Sequence, residues 1–211
     1  IGIQGCGFEQ QLESMYKALS NLAENPGFYR KEALLAVFFI TDEDDCSAQN
    51  YNLFDPQADQ LGDLNSFRCT RYGLTCDEPW DLSYTDTMTM TGCHATAYAT
   101  DALLYPVSRY TNSLIAFKGH PALISMAAIV GPSDGSITLT RDGMGSPKLA
   151  ESCNDGTSSI GAVPAVRFTD LVTGFTLPAD REWALYSVCE SDYSPALEGL
   201  ARTAALAMLG N

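Results

Sequence analysis

The residues with the most chemistry in them stand side by side. Asp42, Glu43, Asp44 and Asp45 are consecutive, and Cys46 follows them. Adjacent carboxyls can ligate a hard cation such as Mg²⁺ or Ca²⁺ through oxygen. They can divide general acid and base work. They can also accept backbone N–H groups and so fix a loop or a helix start. The longest unbroken apolar run, ALLAVFFI at Ala33–Ile40, leads directly into them. A strand that ends in carboxylates matters because open α/β sheets bind ligands at the carboxyl ends of their strands. Asp42 is therefore the candidate metal ligand, with Asp44 and Asp45 as weaker ones. One of the latter two is expected to accept backbone N–H bonds on the way to Cys46.

Other chemistry-bearing residues are sparse. Asp55, Asp59 and Asp63, with Asn65 beyond, are evenly spaced but lack the D-x-D-x-D-G pattern of a calcium loop, so a solvated acidic loop is expected. There are two histidines. His120 precedes Pro121 and reads as structural, and His94 follows Cys93. No H-E-x-x-H or P-loop motif occurs, GPSDG at Gly131–Gly135 leads into a hairpin and not into the helix that a G-x-S-x-G nucleophile elbow requires, and nothing places a nucleophile beside Asp42. The expectation is a protein that is not an enzyme. Trp80, Tyr84 and Tyr98 suit a recognition surface or the small core of a disulfide-stapled region.

The net charge of -14 argues against binding a nucleic-acid backbone. No apolar run approaches the ~20 residues of a membrane helix. Seven cysteines without a CxxC pair favour disulfides in an oxidising compartment over a zinc ribbon. The odd one is taken to be Cys6, unpaired or joined to a partner outside the chain. Cys46, Cys69, Cys76 and Cys93 allow three connectivities, of which Cys46–Cys76 with Cys69–Cys93 is the expected one. Cys153 is expected to pair with Cys189.

These residues need elements to hold them. Phe8–Leu22 carries apolar residues at helical spacing. Ala33–Thr41 reads as a strand apolar on both faces, as in parallel sheets covered by helices. Residues 46–104 form a long cysteine-rich insertion with little periodicity. Val107–Lys118 is a helix between Pro106 and Gly119. Leu123–Val130 is a second buried strand, residues 136–153 a hairpin, Pro164–Phe175 a helix, Glu182–Cys189 a third strand and Ser194–Leu209 a last helix. The alternation predicts an α/β parallel sheet in one domain, 1–211. An edge strand as apolar as LLAVFFI is an aggregation hazard unless something covers it.

At GCGFEQQLESM, LLAVFFITDEDDCS, VSRYTNSLIAFK, AAIVGP, LAESC and VCESDYSPALEGLA, the sequence resembles the von Willebrand factor A-like domains of secreted proteins and surface lipoproteins of myxobacteria and related Gram-negative bacteria. The resemblance spans nearly the whole chain. It implies a doubly wound, Rossmann-like sheet of about six strands, of which this chain supplies the last three. It also implies an extracellular binding or adhesion module in the secreted, periplasmic or outer-membrane surface setting. Asp42 matches one ligand of the family's metal-ion-dependent adhesion site. No D-x-S-x-S loop occurs, and Ile3 stands where a Thr ligand is expected, so the site is degenerate or incomplete. The implied partners are an amino-terminal half or another chain that completes the sheet, and an extracellular protein ligand. The alternative is an assembly subunit with no working metal site.

Overall fold

The structure, a computed structural model, describes residues 7–21, 23–28, 30–154, 156, 161–175 and 184–209. Cys6, Ile3 and the start of the expected third strand lie outside these residues.

The chain opens with helix α1 (Gln11–Ser20), which buries Leu12 and Leu19, two of the apolar positions that set its spacing. Strand β1 (Leu35–Ile40) follows. Helix α2 (Phe67–Gly73) and short strands β2 (Leu74–Thr75), β3 (Met88–Met90) and β4 (His94–Ala95) come from the insertion. Helix α3 (Val107–Lys118) starts after Pro106 and is stopped by Gly119, whose φ of 74° is left-handed, a geometry that favours glycine. Then come β5 (Ile124–Val130), β6 (Ile137–Arg141), β7 (Pro147–Leu149), β8 (Cys153–Asn154) and β9 (Gly161–Ala162). Helix α4 (Val166–Thr173), β10 (Leu185–Ser187) and helix α5 (Ser194–Leu209) complete the order.

The architecture is mixed α/β. The main sheet is parallel, in the order β1-β5-β10, with Leu35 opposite Ile124 and Leu185 opposite Ala128. All residues of β5 are buried. Successive side chains on a strand point to opposite faces, so both faces of β5 are covered. Leu12, Leu19, Tyr110, Leu114, Phe168 and Leu171 from α1, α3 and α4 pack with β5 in one core.

β1 departs from expectation. Only Phe39 is buried along it, and Ile40 is 62% exposed. Its sole strand partner among the described residues is β5, so among them it is an edge strand, as the consecutive order of the three strands suggests.

The insertion is more ordered than its aperiodic sequence suggests. β3 pairs with β6, and β6 with β7, to form a second, antiparallel sheet. Met90, Ile137, Leu139, Leu149, Phe67 and Leu74 make a second core, against which Trp80 and Tyr84 pack. Those two aromatics are thus partly buried against a core, whereas Tyr98 is 68% exposed.

The disulfides are Cys46–Cys69, Cys76–Cys93 and Cys153–Cys189. The first two correct the expected Cys46–Cys76 and Cys69–Cys93. The reason is register. Leu74 lies opposite Ala95 and Thr75 opposite His94, so the next antiparallel pair is Cys76 with Cys93, whose Cα atoms are 4.0 Å apart. Cys69, on α2, is left to meet Cys46 at a Cα distance of 5.2 Å. Cys153 and Cys189 pair as the sequence suggested.

Candidate functional site

The four consecutive carboxyls separate into two that accept from the amino ends of helices and two that do not. Asp45 is 1% exposed. Its Oδ1 accepts from Leu12 N at 3.0 Å and Ser47 Oγ at 2.6 Å. Its Oδ2 accepts from Ser47 N at 3.1 Å and from Nε and Nη2 of Arg167 at 3.2 and 3.0 Å. Leu12 N is one of the first N–H groups of α1, which have no partner within the helix. Asp45 therefore anchors the start of α1 and neutralises a guanidinium that is itself buried.

Asp44 does the same for another helix. Its Oδ1 and Oδ2 accept from Arg167 N, at the start of α4, at 3.1 and 3.0 Å, and Oδ1 also accepts from Asp45 N. Burial raises the Asp44 carboxyl to about 7, and the hydrogen bonds and Arg167 pull against that rise. Two neighbouring carboxylates thus take the amino ends of two helices, where negative charge is favoured. Both Asp44 and Asp45 accept backbone N–H bonds, where the sequence reading expected one of them to do so.

Asp42 and Glu43 are placed differently. Asp42 is exposed just past the carboxyl end of β1. Its carbonyl accepts from Val163 N at 3.0 Å, and no described residue donates to its carboxylate. Glu43 is raised to about 7 by burial, with Glu9 and Asp42 adding like charge. Thr41 Oγ1 sits between them, 3.2 Å from Glu43 N and 3.3 Å from Glu9 Oε2.

Residues 161–165 lie across the carboxyl ends of the sheet. Val163 N donates to Asp42 O and Ala165 N to Gly131 O, which ties this segment to the ends of both β1 and β5. Its approach to β5 is close enough that a Cβ on Gly131 would stand 1.9 Å from Val163 O. Between this segment, the acidic loop, α2 and β7 lies a cleft of about 370 Å³. Asp42, Glu43, Glu151, Asp142, Lys148 and Phe67 line it. Glu151 and Lys148 come from the hairpin and its extension, far in sequence from the acidic run.

Tested against a divalent cation, these residues fit poorly. The oxygens of Asp44 and Asp45 already accept protein donors. Among the described residues, no group of three or more His, Cys, Asp or Glu side chains is disposed to hold a metal ion. Asp42, exposed at the rim, offers a single carboxylate.

The calcium-loop candidates also resolve. Arg68, 2% exposed, donates to the carbonyls of Gly62, Asp63, Leu53, Asp55 and Ala58 at 2.5–3.4 Å. The loop of Asp55, Asp59 and Asp63 already wraps a cation, and that cation is a side chain of the protein. His120 Nδ1 accepts from Ala122 N and caps the short turn before β5, the structural role expected of it. His94 is exposed and lies 2.9 Å from Gly92 O.

Sequence reasoning missed Arg167 and Arg68. A signal was present in VPAVRFTD, where one arginine interrupts an apolar helical stretch, because a buried arginine requires a partner. The acidic run supplies it.

The chain matches no known family model, no curated protein and no solved structure. Among the described residues no helix is long and apolar enough to cross a membrane. The three disulfides fit a secreted or extracellular protein.

Proposed function

We propose that this chain is a non-enzymatic extracellular binding module of von Willebrand factor A type. Its parallel sheet is part of a Rossmann-like, doubly wound sheet that another polypeptide segment completes at β1. The observation that carries this reading is the state of β1: an apolar strand, exposed at Ala36 and Ile40, without a second strand partner among the described residues. A strand edge of that composition favours pairing with another strand. The completed sheet would present its ligand face at the carboxyl ends of the strands, where Asp42 and the cleft lie.

Site-specific photocrosslinking from β1 tests the reading. A photoreactive residue at Ala36 or Ile40, in the protein made by its native cells, is expected to give one discrete adduct with another strand-bearing segment. The same group at Ser113 on α3 is expected to give none. A lone monomer without adduct at either β1 position overturns the proposal.

A second reading, an assembly subunit without a working metal site, is favoured by the engagement of Asp44 and Asp45 within the fold. Thermal melting of the completed assembly with Mg²⁺, Ca²⁺ or Mn²⁺ separates the two. A cation at a hundredfold its dissociation constant contributes about 2.7 kcal/mol, or roughly 5–10 °C for a domain of this size. A shift of that order, abolished by Asp42→Ala, supports a cation-assisted binding face. No shift supports the assembly subunit.

A further inference from the structure

We propose that Cys153–Cys189 is a redox-labile bond, opened selectively by a dithiol reductant with Cys153 as the leaving sulfur, and that opening it releases β10 and α5 from the wall of the acidic cleft.

Three observations support it. The first is access. Cys153 and Cys189 are both partly exposed, as is Cys76, whereas Cys46 is 2%, Cys69 6% and Cys93 5% exposed. Every other bridge thus has at least one cysteine sealed in a core, and thiol–disulfide exchange needs an accessible sulfur.

The second is polarity. Ser187 Oγ lies 3.5 Å from Cys153 Sγ, to which it donates, and accepts from Cys189 N at 3.1 Å. An O–H that is itself accepting a hydrogen bond is a better donor, and a hydrogen bond to sulfur stabilises the thiolate. The thiol that leaves more readily is the one whose thiolate is stabilised. A thiolate of the reductant therefore attacks Cys189 Sγ. The S–S electron pair departs on Cys153, which takes up a proton. The second thiol of the reductant then displaces Cys189 from the mixed disulfide. The reductant ends as a disulfide and the protein as two thiols, a transfer of two electrons and two protons.

The third is what the bond holds. β10 meets β5 through three register pairs, Leu185 with Ala128, Tyr186 with Ile129 and Ser187 with Val130, and α5 begins soon after it. Cys153 lies in β8, opposite Ala162. Its neighbours Glu151, Gly161 and Val163 line the cleft, and Val163 N is bonded to Asp42 O. The disulfide is thus the covalent tie between the end of the sheet and the far wall of the cleft. The consequence for ligand binding rests on the cleft being the binding face, but the reactivity of the bond does not.

Graded reduction of the native protein tests it. The protein is treated with increasing dithiothreitol, quenched, alkylated and mapped by mass spectrometry. Cys153 and Cys189 are expected to be alkylated at about a tenfold lower reductant concentration than the other cysteines of the three bridges. Glutathione, a monothiol, is expected to be trapped on Cys189 and not on Cys153. Ser187→Ala is expected to slow opening about three- to tenfold. Hydrogen exchange of the selectively reduced protein is expected to quicken at residues 184–188, 149–154 and 161–163. Earlier or simultaneous opening of Cys46–Cys69 or Cys76–Cys93 overturns the proposal, as does a glutathione adduct on Cys153 or unchanged exchange at those residues. The adduct position is read on the unmutated protein, so it stands whether or not the serine variant folds.

Discussion

Asp45 and Arg167 are both within 1% of full burial at their side chains and lie 3.0 Å apart. A buried ion pair adds little over an apolar pair of the same shape, but removing one partner strands the other charge. Asp45→Asn keeps an acceptor for Leu12 N and Ser47 and loses the charge that faces Arg167. It should cost about 3–5 kcal/mol, measured by urea denaturation. Adding Arg167→Met should recover a large part of that loss. If the two single costs simply add, the pair is not coupled and the role given to Asp45 is wrong. Residue types alone show that these carboxyls matter but not how. An unbonded acidic run and a run that holds two helix starts read the same until α1 and α4 are placed beside it. Asp42 stands out in the sequence by its position after an apolar strand, and that position survives in the structure as an exposed carboxylate at a cleft rim.

At the scale of elements, periodicity finds what packing decides locally. The helix at Val107–Lys118 has the bounds its flanking proline and glycine suggest, and Ile124–Val130 is the buried strand its composition demands. Apolar runs cannot rank the strands. LLAVFFI is more apolar than LISMAAIV, yet the second occupies the centre, because centrality depends on which strands pair and not on composition alone. Residues 46–104 are illegible for a related reason. β3 gains its meaning from β6, far along the chain, and short strands carry too little alternation to announce a partner. The segment at 161–165 escapes a sequence reading too, although Gly131 marks its path. Gly131→Ala puts a methyl group against Val163 O, so the segment must move away from β5. We expect a loss of about 1–3 kcal/mol, with faster hydrogen exchange at Val163 and Ala165 and little change at α3. An unperturbed Gly131→Ala variant would mean that the crossing is loose.

At the scale of the whole molecule, two cores share α4. Phe168, Leu171 and Val172 face the parallel sheet, while Val166 packs with the second sheet. The second core is the smaller of the two, and a small core depends more on covalent closure. Its bridge, Cys76–Cys93, closes a loop with a sequence separation of 17, for which chain entropy gives about 3 kcal/mol. Replacing both cysteines by alanine should therefore unfold or loosen the antiparallel sheet first. Amides of Met88–Met90 and Ile137–Arg141 should lose protection, while Ile124–Val130 should keep it, because β5 is buried by α1, α3 and α4 independently of that bridge. Hydrogen exchange followed by mass spectrometry distinguishes the outcomes. Uniform loss of protection across both sheets would show that α4 couples the cores into one cooperative unit, in which case a change felt at the cleft would reach the β1 edge as well. Selective loss would leave the parallel sheet able to dock its partner strand while the cleft wall on the hairpin side is open.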